Sequence, residues 1–377
     1  MKITAYNGLC NLGIGIKDIY PKALSGDISC FTPLDYIIEN RTLRTGMIDF
    51  EFSDINDKNY NLRCNKFIIK TLNLLNNEIN DLLNKYKRER IGIVAATTNS
   101  GVEEYEKTLN PKHFELGNPA LFTQNFLSLK GYCATVSTAC SSGIKAFSLA
   151  KDLLDSNVMD SVIVVCVDSM AKVPLFGFSS LEVLSDNPSL PFSKNRAGMN
   201  IGEACAIFIT EKDAGSGIEI MGIGESSDIY HPTTPDPNGI ESIIAIKQAL
   251  ENAKITPEKV DYINAHGTGT IANDLMEANA IYEVFGNKVP VSSTKPLTGH
   301  CLGAAAGIEI LLCCELLDNF SGKFYPNIYD NQFDNNLPNI KLVGQNDIYD
   351  KCNICMCNSF GFGGANAIMI LGKNYVR

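Results

Sequence analysis

The sequence has no tryptophan and only four histidines among its 377 residues. It also has fewer basic than acidic side chains, 32 lysines and arginines against 42 aspartates and glutamates, which gives a net charge of −10. An acidic surface repels the phosphates of nucleic acids and of anionic membranes, so we expect no nucleic-acid partner. With 45% hydrophobic and 20% charged residues, the composition is that of an ordinary globular protein.

Long apolar runs are also missing. No stretch reaches the ~18 uninterrupted apolar residues of a membrane span. The most apolar segment, residues 308–317, is interrupted by Glu309 and Glu315. The N-terminus lacks the sustained apolar core of a signal peptide, because Asn7 and Asn11 interrupt it. We therefore expect a cytoplasmic protein with no membrane insertion.

Cysteine is abundant, but its pattern does not indicate disulfides or a metal. The thirteen cysteines are odd in number and irregular in spacing, which argues against a secreted disulfide framework and favours a reducing compartment. The CxxC at Cys352 and Cys355 lacks the second pair that a four-thiolate zinc site requires. The sequence therefore predicts no metal site.

Short β-prone runs alternate along the chain with longer segments in which apolar residues recur every three or four positions. This alternation predicts βαβ units, with mostly parallel sheets covered by helices on both faces. The predicted strands are residues 91–95, 162–167, 204–210, 260–265, 289–292, 353–356 and 367–371. The predicted helices are residues 66–86, 142–155, 240–252, 273–285 and 304–317.

Two segments resemble each other. Residues 137–154 (STACSSGIKAFSLAKDLL) and 298–317 (TGHCLGAAAGIEILLCCELL) each run from a small-residue turn that carries a cysteine into a long apolar helix. This predicts two copies of one α/β unit, with these helices as a buried middle layer between two sheets. The divide falls near Gly215–Gly217 and gives halves of residues 1–214 and 215–377.

Cys140 is a candidate nucleophile because it lies where a β-prone segment gives way to a helix. The free N–H groups and partial positive charge of a helix N-terminus favour thiolate over thiol. The alternative is a buried structural cysteine, which is the commonest fate of a free cysteine.

Two histidines lie in Gly- and Thr-rich segments. His266 opens HGTGT after a predicted strand, and His300 precedes the second long helix. Imidazoles at such positions can transfer protons or polarise a developing oxyanion. Together with Cys140 they favour catalysis, although these residues alone leave a protease or a metal site open.

A glycine-rich turn, SFGFGGAN, contains Gly361, Gly363 and Gly364. Its backbone N–H groups can point at an anion, or it can be a simple turn between two strands. Both interpretations remain open from the sequence.

Four motifs, taken together, resemble the β-ketoacyl-acyl-carrier-protein synthase family. They are TACSSG at 138–143, NAHGTGT at 264–270, KPLTGHCLGAAAG at 295–307 and NSFGFGGAN at 358–366, in the family's order, and the resemblance runs from residue 91 to residue 371. It implies an α/β, thiolase-like, five-layered α-β-α-β-α fold with duplicated halves. It also implies a decarboxylative Claisen condensation of a Cys-bound acyl group with malonyl carrier protein, with no cofactor beyond the carrier's phosphopantetheine.

The resemblance assigns roles by position. Cys140 corresponds to the nucleophile that accepts the acyl group, and His266 and His300 to the pair that supports decarboxylation and carbanion attack. Lys295 corresponds to the lysine beside that pair, and Glu309 to its buried acidic partner.

Further positions concern the oxyanion and the substrate. The backbone N–H groups of Cys140 and Phe360 are expected to form the oxyanion hole, with Phe360 also gating acyl entry. The other residues expected to contact substrate are Thr268, Thr270, Phe176 and Phe178. Ser193 and Ala197 depart from the family, which often has aspartate at both positions.

The resemblance also implies an acyl carrier protein as partner and a homodimer, or else a heterodimer with a paralogous subunit. Residues 176–208 look like synthases of aryl-polyene-type clusters, so we expect elongation of unsaturated or aryl-primed chains. Two alternatives remain: a non-catalytic subunit that resembles a chain-length factor, and a thiolase-like enzyme that acts on coenzyme A thioesters. The presence of Cys140, His266 and His300 disfavours the first, and the histidine pair disfavours the second.

Overall fold

The computed structural model describes residues 1–35, 37–38, 40–212 and 214–375. Its strands are β1 (Lys2–Cys10), β2 (Gly13–Ile14), β3 (Thr32–Leu34), β4 (Leu43–Thr45), β5 (Ile91–Ala96), β6 (Cys133–Val136), β7 (Ser161–Asp168), β8 (Ala204–Glu211), β9 (Ile218–Ser227), β10 (Tyr262–Asn264), β11 (Pro290–Ser292), β12 (Lys341–Leu342), β13 (Ile354–Phe360) and β14 (Ala365–Gly372). Its helices are α1 (Ile16–Ser25), α2 (Arg63–Leu74), α3 (Asn76–Lys85), α4 (Val102–Thr108), α5 (Pro111–Phe114), α6 (Asn118–Phe126), α7 (Ser142–Asp155), α8 (Lys172–Ser180), α9 (Ile240–Ala253), α10 (Ile271–Phe285), α11 (Lys295–Thr298) and α12 (Ala305–Asn319). Short 3-10 helices span Arg88–Arg90, Pro257–Lys259 and Leu302–Ala304.

The main strands follow the same spatial order in both halves. The order is β6-β5-β7-β8-β1 in the first half and β11-β10-β13-β14-β9 in the second. In each half the first three of these strands are parallel, and the fourth, β8 or β14, runs antiparallel to both of its neighbours. The repeated order confirms the predicted duplication.

The prediction of mostly parallel sheets is only partly correct. Only residues 361–364 connect β13 to β14, which pair as an antiparallel hairpin. Parallel neighbours need a crossover of a dozen or more residues, so this short connection permits only antiparallel pairing. The glycine-rich motif is therefore a strand-to-strand turn.

Five layers result from the packing of helices against these sheets. Helix α2 covers the outer face of the first sheet, at β7 and β8, and α9 covers β9 and β14 of the second. Helices α7 and α12 lie between the sheets and contact strands of both. Residues 305–317 of α12 are all buried, which is why this helix is apolar on nearly every side.

The two middle helices cross closely at a glycine. A Cβ atom added at Gly143 of α7 would lie 2.9 Å from the Cβ of Ala306 in α12, so a larger residue would force the helices apart. This crossing brings the N-termini of α7 and α12 to the same place. The carboxyl ends of the parallel strands in both halves open there, as is general for ligand sites in α/β sheets.

The helix predicted at 66–86 is two helices, α2 and α3, which meet at Leu75. Leu72, Leu75, Ile79 and Leu82 are all buried, so the apolar period continues through the break and does not reveal it. In the part of the chain that the structure describes, no helix is both long enough and apolar enough to cross a membrane.

Candidate active site

Cys140 lies in the turn between β6 and α7. Ala139 before it adopts a left-handed backbone conformation with φ of 54°, and its carbonyl accepts a hydrogen bond from the N–H of Ser142 at 3.2 Å. The hydroxyl of Ser359 donates to the carbonyl oxygen of Cys140 at 2.8 Å, so β13 of the other half holds the turn in place. The Cys140 side chain is buried, with 6% of the residue surface exposed.

His266 follows β10, in a loop that a buried carboxylate fixes. The backbone N–H groups of His266 and Gly267 donate to Glu277 at 2.8 and 2.6 Å, and the side-chain amide of Asn358 donates to it at 3.0 Å. His300 follows α11, and its backbone N–H donates to the carbonyl of Asn200 at 2.7 Å.

The structure brings three predicted residues from distant motifs together. The sulfur of Cys140 and a ring nitrogen from each of His266 and His300 all lie within 4.8 Å of one another. The two imidazole rings are nearly perpendicular, with centroids 5.4 Å apart. Lys295 and Glu309 form a buried ion pair directly beside His266.

Hydrogen bonds determine which nitrogen of each imidazole carries the proton. The ammonium of Lys295 has only donors to offer, so Nδ1 of His266, at 3.2 Å from Nζ, accepts. Nδ1 of His300 accepts from the backbone N–H of Leu302 at 3.0 Å. A neutral imidazole that accepts at Nδ1 carries its proton on Nε2. Both rings therefore offer an Nε2–H donor.

Both rings are neutral near physiological pH. Burial lowers the pKa of His300 to about 3, and the charge of Lys295 adds to this effect. Burial, followed by the charge of Lys295, holds the pKa of His266 well below its ordinary value. Two neutral N–H donors can stabilise a negative charge that develops between them.

Cys140, His266 and His300 also have the spacing of metal ligands. A histidine binds a metal through a nitrogen lone pair. With Nδ1 already occupied as an acceptor and Nε2 protonated, neither ring offers such a lone pair. The ammonium of Lys295 beside His266 further disfavours a cation. The chemistry of these donors therefore does not suit a metal ion.

The expected stabilisation of the Cys140 thiolate by the helix N-terminus is outweighed by burial. Burial raises the pKa of the Cys140 thiol to about 11, although the charge of Lys295 and the backbone N–H of Phe362 both lower it. A thiolate removed from water loses more solvation free energy than these groups return. The resting group is a thiol.

The sequence predicted that the backbone N–H of Phe360 faces the nucleophile, but the N–H that acts on the Cys140 thiol is that of Phe362. The backbone N–H groups of Phe362 and of Cys140 itself both lower the pKa of the Cys140 thiol. Phe360 is the last residue of β13, and its ring packs 5.9 Å from that of His266. Phe362 lies in the glycine-rich turn that follows, which turns its N–H toward Cys140.

Two cavities meet at Cys140. The first, of about 310 Å3, is lined by both catalytic histidine candidates, Phe360, Thr268 and Thr270. The second, of about 470 Å3, lies on the α8 side, and its walls are mainly apolar. Their shared lining residues are Cys140, Phe178, Leu181 and Phe362.

The predicted substrate contacts have different outcomes. Thr268 and Thr270 lie in the first cavity, with their hydroxyls 2.9 Å apart. Phe178 lines both cavities and packs edge-to-face against Phe362 at 5.5 Å. Phe176 is half-exposed and lines neither cavity in the single chain, so its contact with substrate stays a prediction.

Three buried carboxylates that shape the site were missed. Asp274 and Glu277 lie one turn apart on α10 and bind backbone N–H groups of the HGTGT loop. Asp168 ends β7 and accepts a hydrogen bond from Gly303, next to the His300 turn. The sequence did contain signals for them. Asp274 and Glu277 are spaced i and i+3 in a largely apolar helix, and Asp168 comes at the end of an apolar strand.

One departure from the family has a local explanation. Ser193 donates to Asp330 at 2.6 Å and accepts from the N–H of Asn195 at 3.0 Å. Its hydroxyl thereby fastens the 193–196 loop to the loop at 330. Ala197 lines the first cavity, where it presents only a methyl group.

Comparisons with known proteins agree with this geometry. Residues 89–214 match the family model for the N-terminal domain of β-ketoacyl synthases, and residues 218–321 match the model for the C-terminal domain. The chain is similar to a solved ketosynthase (ApeO) in complex with its chain length factor (ApeC) from Xenorhabdus doucetiae. The TM-score is 0.94 at 34% identity, with 98% of this chain and 97% of that one covered.

Curated relatives include 3-oxoacyl-(acyl-carrier-protein) synthase 2 from two bacteria. The Coxiella burnetii enzyme is 37% identical over 264 residues, which span 65% of this chain and 63% of that enzyme. The Staphylococcus aureus enzyme is 29% identical over 408 aligned residues, which cover 98% of this chain and 97% of that enzyme.

Proposed function

The chain belongs to the β-ketoacyl synthase family, and from that membership we propose how its residues divide the reaction. It is an acyltransferase of the 3-oxoacyl-acyl-carrier-protein synthase type, which elongates acyl chains by decarboxylative Claisen condensation. The observation that carries the assignment of residues is the meeting of Cys140, His266 and His300 within 4.8 Å at the junction of two cavities.

We propose that Cys140 accepts the acyl group first. Its sulfur attacks the thioester of an acyl carrier protein, and the carrier's phosphopantetheine sulfur leaves. The thiol proton of Cys140 passes to the departing sulfur, so the exchange is neutral overall. The N–H groups of Cys140 and Phe362 stabilise the negative oxygen of the intermediate, since both already point at this reacting centre.

His266 and His300 then act on malonyl carrier protein. Loss of carbon dioxide leaves an enolate, whose oxygen accepts hydrogen bonds from the two Nε2–H groups. The enolate carbon attacks the acyl thioester, the Cys140 sulfur leaves, and it takes up a proton from water. Lys295, held by Glu309, keeps His266 in the donor tautomer. No metal or redox cofactor takes part in this scheme.

The two cavities separate the substrates. The phosphopantetheine arm enters the first cavity beside Thr268 and Thr270, and the acyl chain occupies the mainly apolar second cavity. The edge-to-face pair of Phe178 and Phe362 stands between them as a gate. Flat conjugated chains can stack on this pair, which supports a preference for unsaturated or aryl-primed chains.

A second subunit completes the molecule. Val173 and Phe176 on α8, beside the second cavity, are 62% and 49% exposed. Strand β6 ends its sheet and leaves an edge that can accept another strand. We propose pairing with a copy of this chain or with a related subunit, and the ketosynthase from Xenorhabdus doucetiae is in a complex of the second kind.

The thirteen free cysteines support a cytoplasmic location.

A reconstituted reaction tests the proposal. The purified protein, alone and with any co-purifying subunit, is mixed with an acyl carrier protein and malonyl carrier protein, and the products on the carrier are measured by mass spectrometry. We expect a β-ketoacyl product two carbons longer than the primer. Lack of product with every primer, including coenzyme A thioesters, would favour a non-catalytic subunit, and activity only with coenzyme A thioesters would favour a thiolase-like enzyme.

A further inference from the structure

Asp168 is a fully buried carboxylate that the proposed reaction does not use. It ends β7 and is surrounded by donors. Oδ1 accepts from the hydroxyl of Thr97 at 2.6 Å and from the N–H of Asn99 at 2.8 Å. Oδ2 accepts from the hydroxyl of Thr98 at 2.8 Å and from the N–H of Gly303 at 2.7 Å. The Thr98 N–H also lies 3.0 and 3.1 Å from the two oxygens.

Of these donors, Gly303 is the one that belongs to the C-terminal half. It follows His300 by three residues, in the 3-10 turn that precedes α12. A Cβ atom added at Gly303 would lie 2.7 Å from Oδ2 of Asp168 and 2.9 Å from the nitrogen of Thr98. The glycine thus allows the turn to approach the carboxylate closely, and the bond from its N–H ties the two halves together.

Leu302, between His300 and Gly303, has a left-handed backbone conformation with φ of 53°. This conformation is disfavoured for leucine, so surrounding contacts must hold it. The N–H of Leu302 donates back to Nδ1 of His300, at 3.0 Å. The next N–H along the chain, that of Gly303, is the one bound to Asp168.

We propose that Asp168 is a positioning residue for His300. Its carboxylate holds the 302–304 turn so that the Leu302 N–H occupies Nδ1, and the imidazole keeps its proton on Nε2, where it can donate to the reacting oxygen. The catalytic consequence rests on the proposed role of His300, but the effect on the tautomer does not.

Imidazole 15N NMR tests the tautomer directly. Two-bond proton–nitrogen correlations distinguish an Nε2–H ring from an Nδ1–H ring, and the His300→Gln variant identifies the His300 signal by its loss. We expect the wild-type enzyme to show His300 as Nε2–H. An Nδ1–H signal for His300 in the wild-type enzyme would overturn the proposal, even if the Asp168 variant does not fold.

The decisive variant is Asp168→Asn. An asparagine amide has one acceptor oxygen, so some of the donors around it are left facing an NH2 group. We expect the His300 signal to become a mixture of tautomers or to broaden. The matched control is Thr97→Val, which removes one bond to Oδ1 and leaves Gly303 bound to Oδ2. The Thr97→Val control should keep the wild-type tautomer of His300, even if its melting temperature falls as much as that of Asp168→Asn.

Kinetics separate this inference from the proposed function. In Asp168→Asn we expect kcat for condensation to fall roughly tenfold to a hundredfold, as for a misplaced catalytic group, with KM and the rate of Cys140 acylation little changed. An unchanged His300 tautomer in this variant would overturn the proposal. A changed tautomer with unchanged condensation would support the positioning role and contradict the proposed role of His300.

Discussion

The two halves of the molecule place equivalent loops at one site, yet the side chains in those loops differ. The loop before α7 carries Cys140, and the loop before α12, its counterpart, carries His300. The loop after β10 carries His266, whereas its counterpart after β5 carries Thr97 and Asn99, which bind Asp168. The duplicated scaffold supplies four loops, and in the proposed reaction the first half carries the thiol that is acylated while the second half carries the two imidazoles.

Lys295 links the two chemistries. Its charge lowers the pKa of Cys140, which favours the thiolate, and lowers the pKa of His266 and His300, which keeps both imidazoles neutral. Burial acts in the same direction on the histidines and in the opposite direction on the cysteine. One buried cation therefore favours the deprotonated form of all three groups, whereas burial favours it only for the two histidines.

Removing the nucleophile should have the largest effect, because it abolishes the half-reaction that depends on Cys140. In Cys140→Ala we expect elongation to fall to background, because no acyl-enzyme can form. Decarboxylation of malonyl carrier protein should continue, since the two Nε2–H donors remain. Carbon dioxide release and β-ketoacyl product are measured in the same reaction, and wild-type elongation by this variant would exclude Cys140 as the nucleophile.

Removing either histidine should slow condensation more than acylation of Cys140. His266→Ala and His300→Ala should each slow condensation by roughly 10²–10³-fold, the usual loss for a missing donor to a developing oxyanion. Acylation of Cys140 should suffer less, because it needs neither Nε2–H. His113→Ala is the control: this buried histidine bonds Thr108 and Asn110, away from the site. Equal losses in both half-reactions would contradict the division of labour.

The pH dependence of Cys140 alkylation tests the effect of burial. With a pKa of about 11, the thiolate fraction increases about tenfold per pH unit below that value, so the iodoacetamide rate should still be rising at pH 10. Lys295→Met should slow alkylation at every pH, because loss of the charge raises the pKa of Cys140 further. Cys140→Ala gives the background from other thiols, and a rate that levels off below pH 8 would contradict a buried neutral thiol.

The smallest expected effect concerns the acyl chain. Phe178→Leu should reduce the preference for a polyenoyl or aryl-enoyl primer over a saturated primer of equal length. The change is about tenfold at most, since an aromatic contact contributes ~0.5–1.5 kcal/mol beyond burial. The values of kcat/KM from direct competition measure it, and Phe114→Leu, at an exposed phenylalanine that lines neither cavity, is the control. A wild-type preference for the saturated primer would contradict the assignment of unsaturated chains.

Much of the fold was predictable, because burial leaves periodic patterns. Helix α7 has the predicted bounds, and the internal similarity of residues 137–154 and 298–317 indicated the duplication. Strands β1 and β9 were not predicted. β1 has mixed burial and β9 contains Gly222 and Gly224, which lie against the backbone of α9, so neither has a simple apolar pattern. The break at Leu75 could not be predicted, because the apolar period continues through it from α2 into α3.

The catalytic side chains of the site could be predicted from the sequence motifs. The directions of backbone N–H groups could not, because they depend on how the turns fold. Cys140, His266, His300, Lys295 and Glu309 do meet, as the four motifs implied. The choice between the amides of Phe360 and Phe362 depends on how the turn after β13 folds, which the letters FGFGG do not specify. The protonation of Cys140 depends on burial by both halves, a tertiary property.

The acyl-enzyme itself is the most direct test of the account. The protein is incubated with an acyl carrier protein, digested, and the peptide that contains Cys140 is analysed by mass spectrometry, before and after addition of malonyl carrier protein. We expect one acyl group on Cys140 that disappears on addition of malonyl carrier protein, as a β-ketoacyl group two carbons longer appears on the carrier. An acyl group on another cysteine, or product formed while Cys140 stays unmodified throughout, would contradict it.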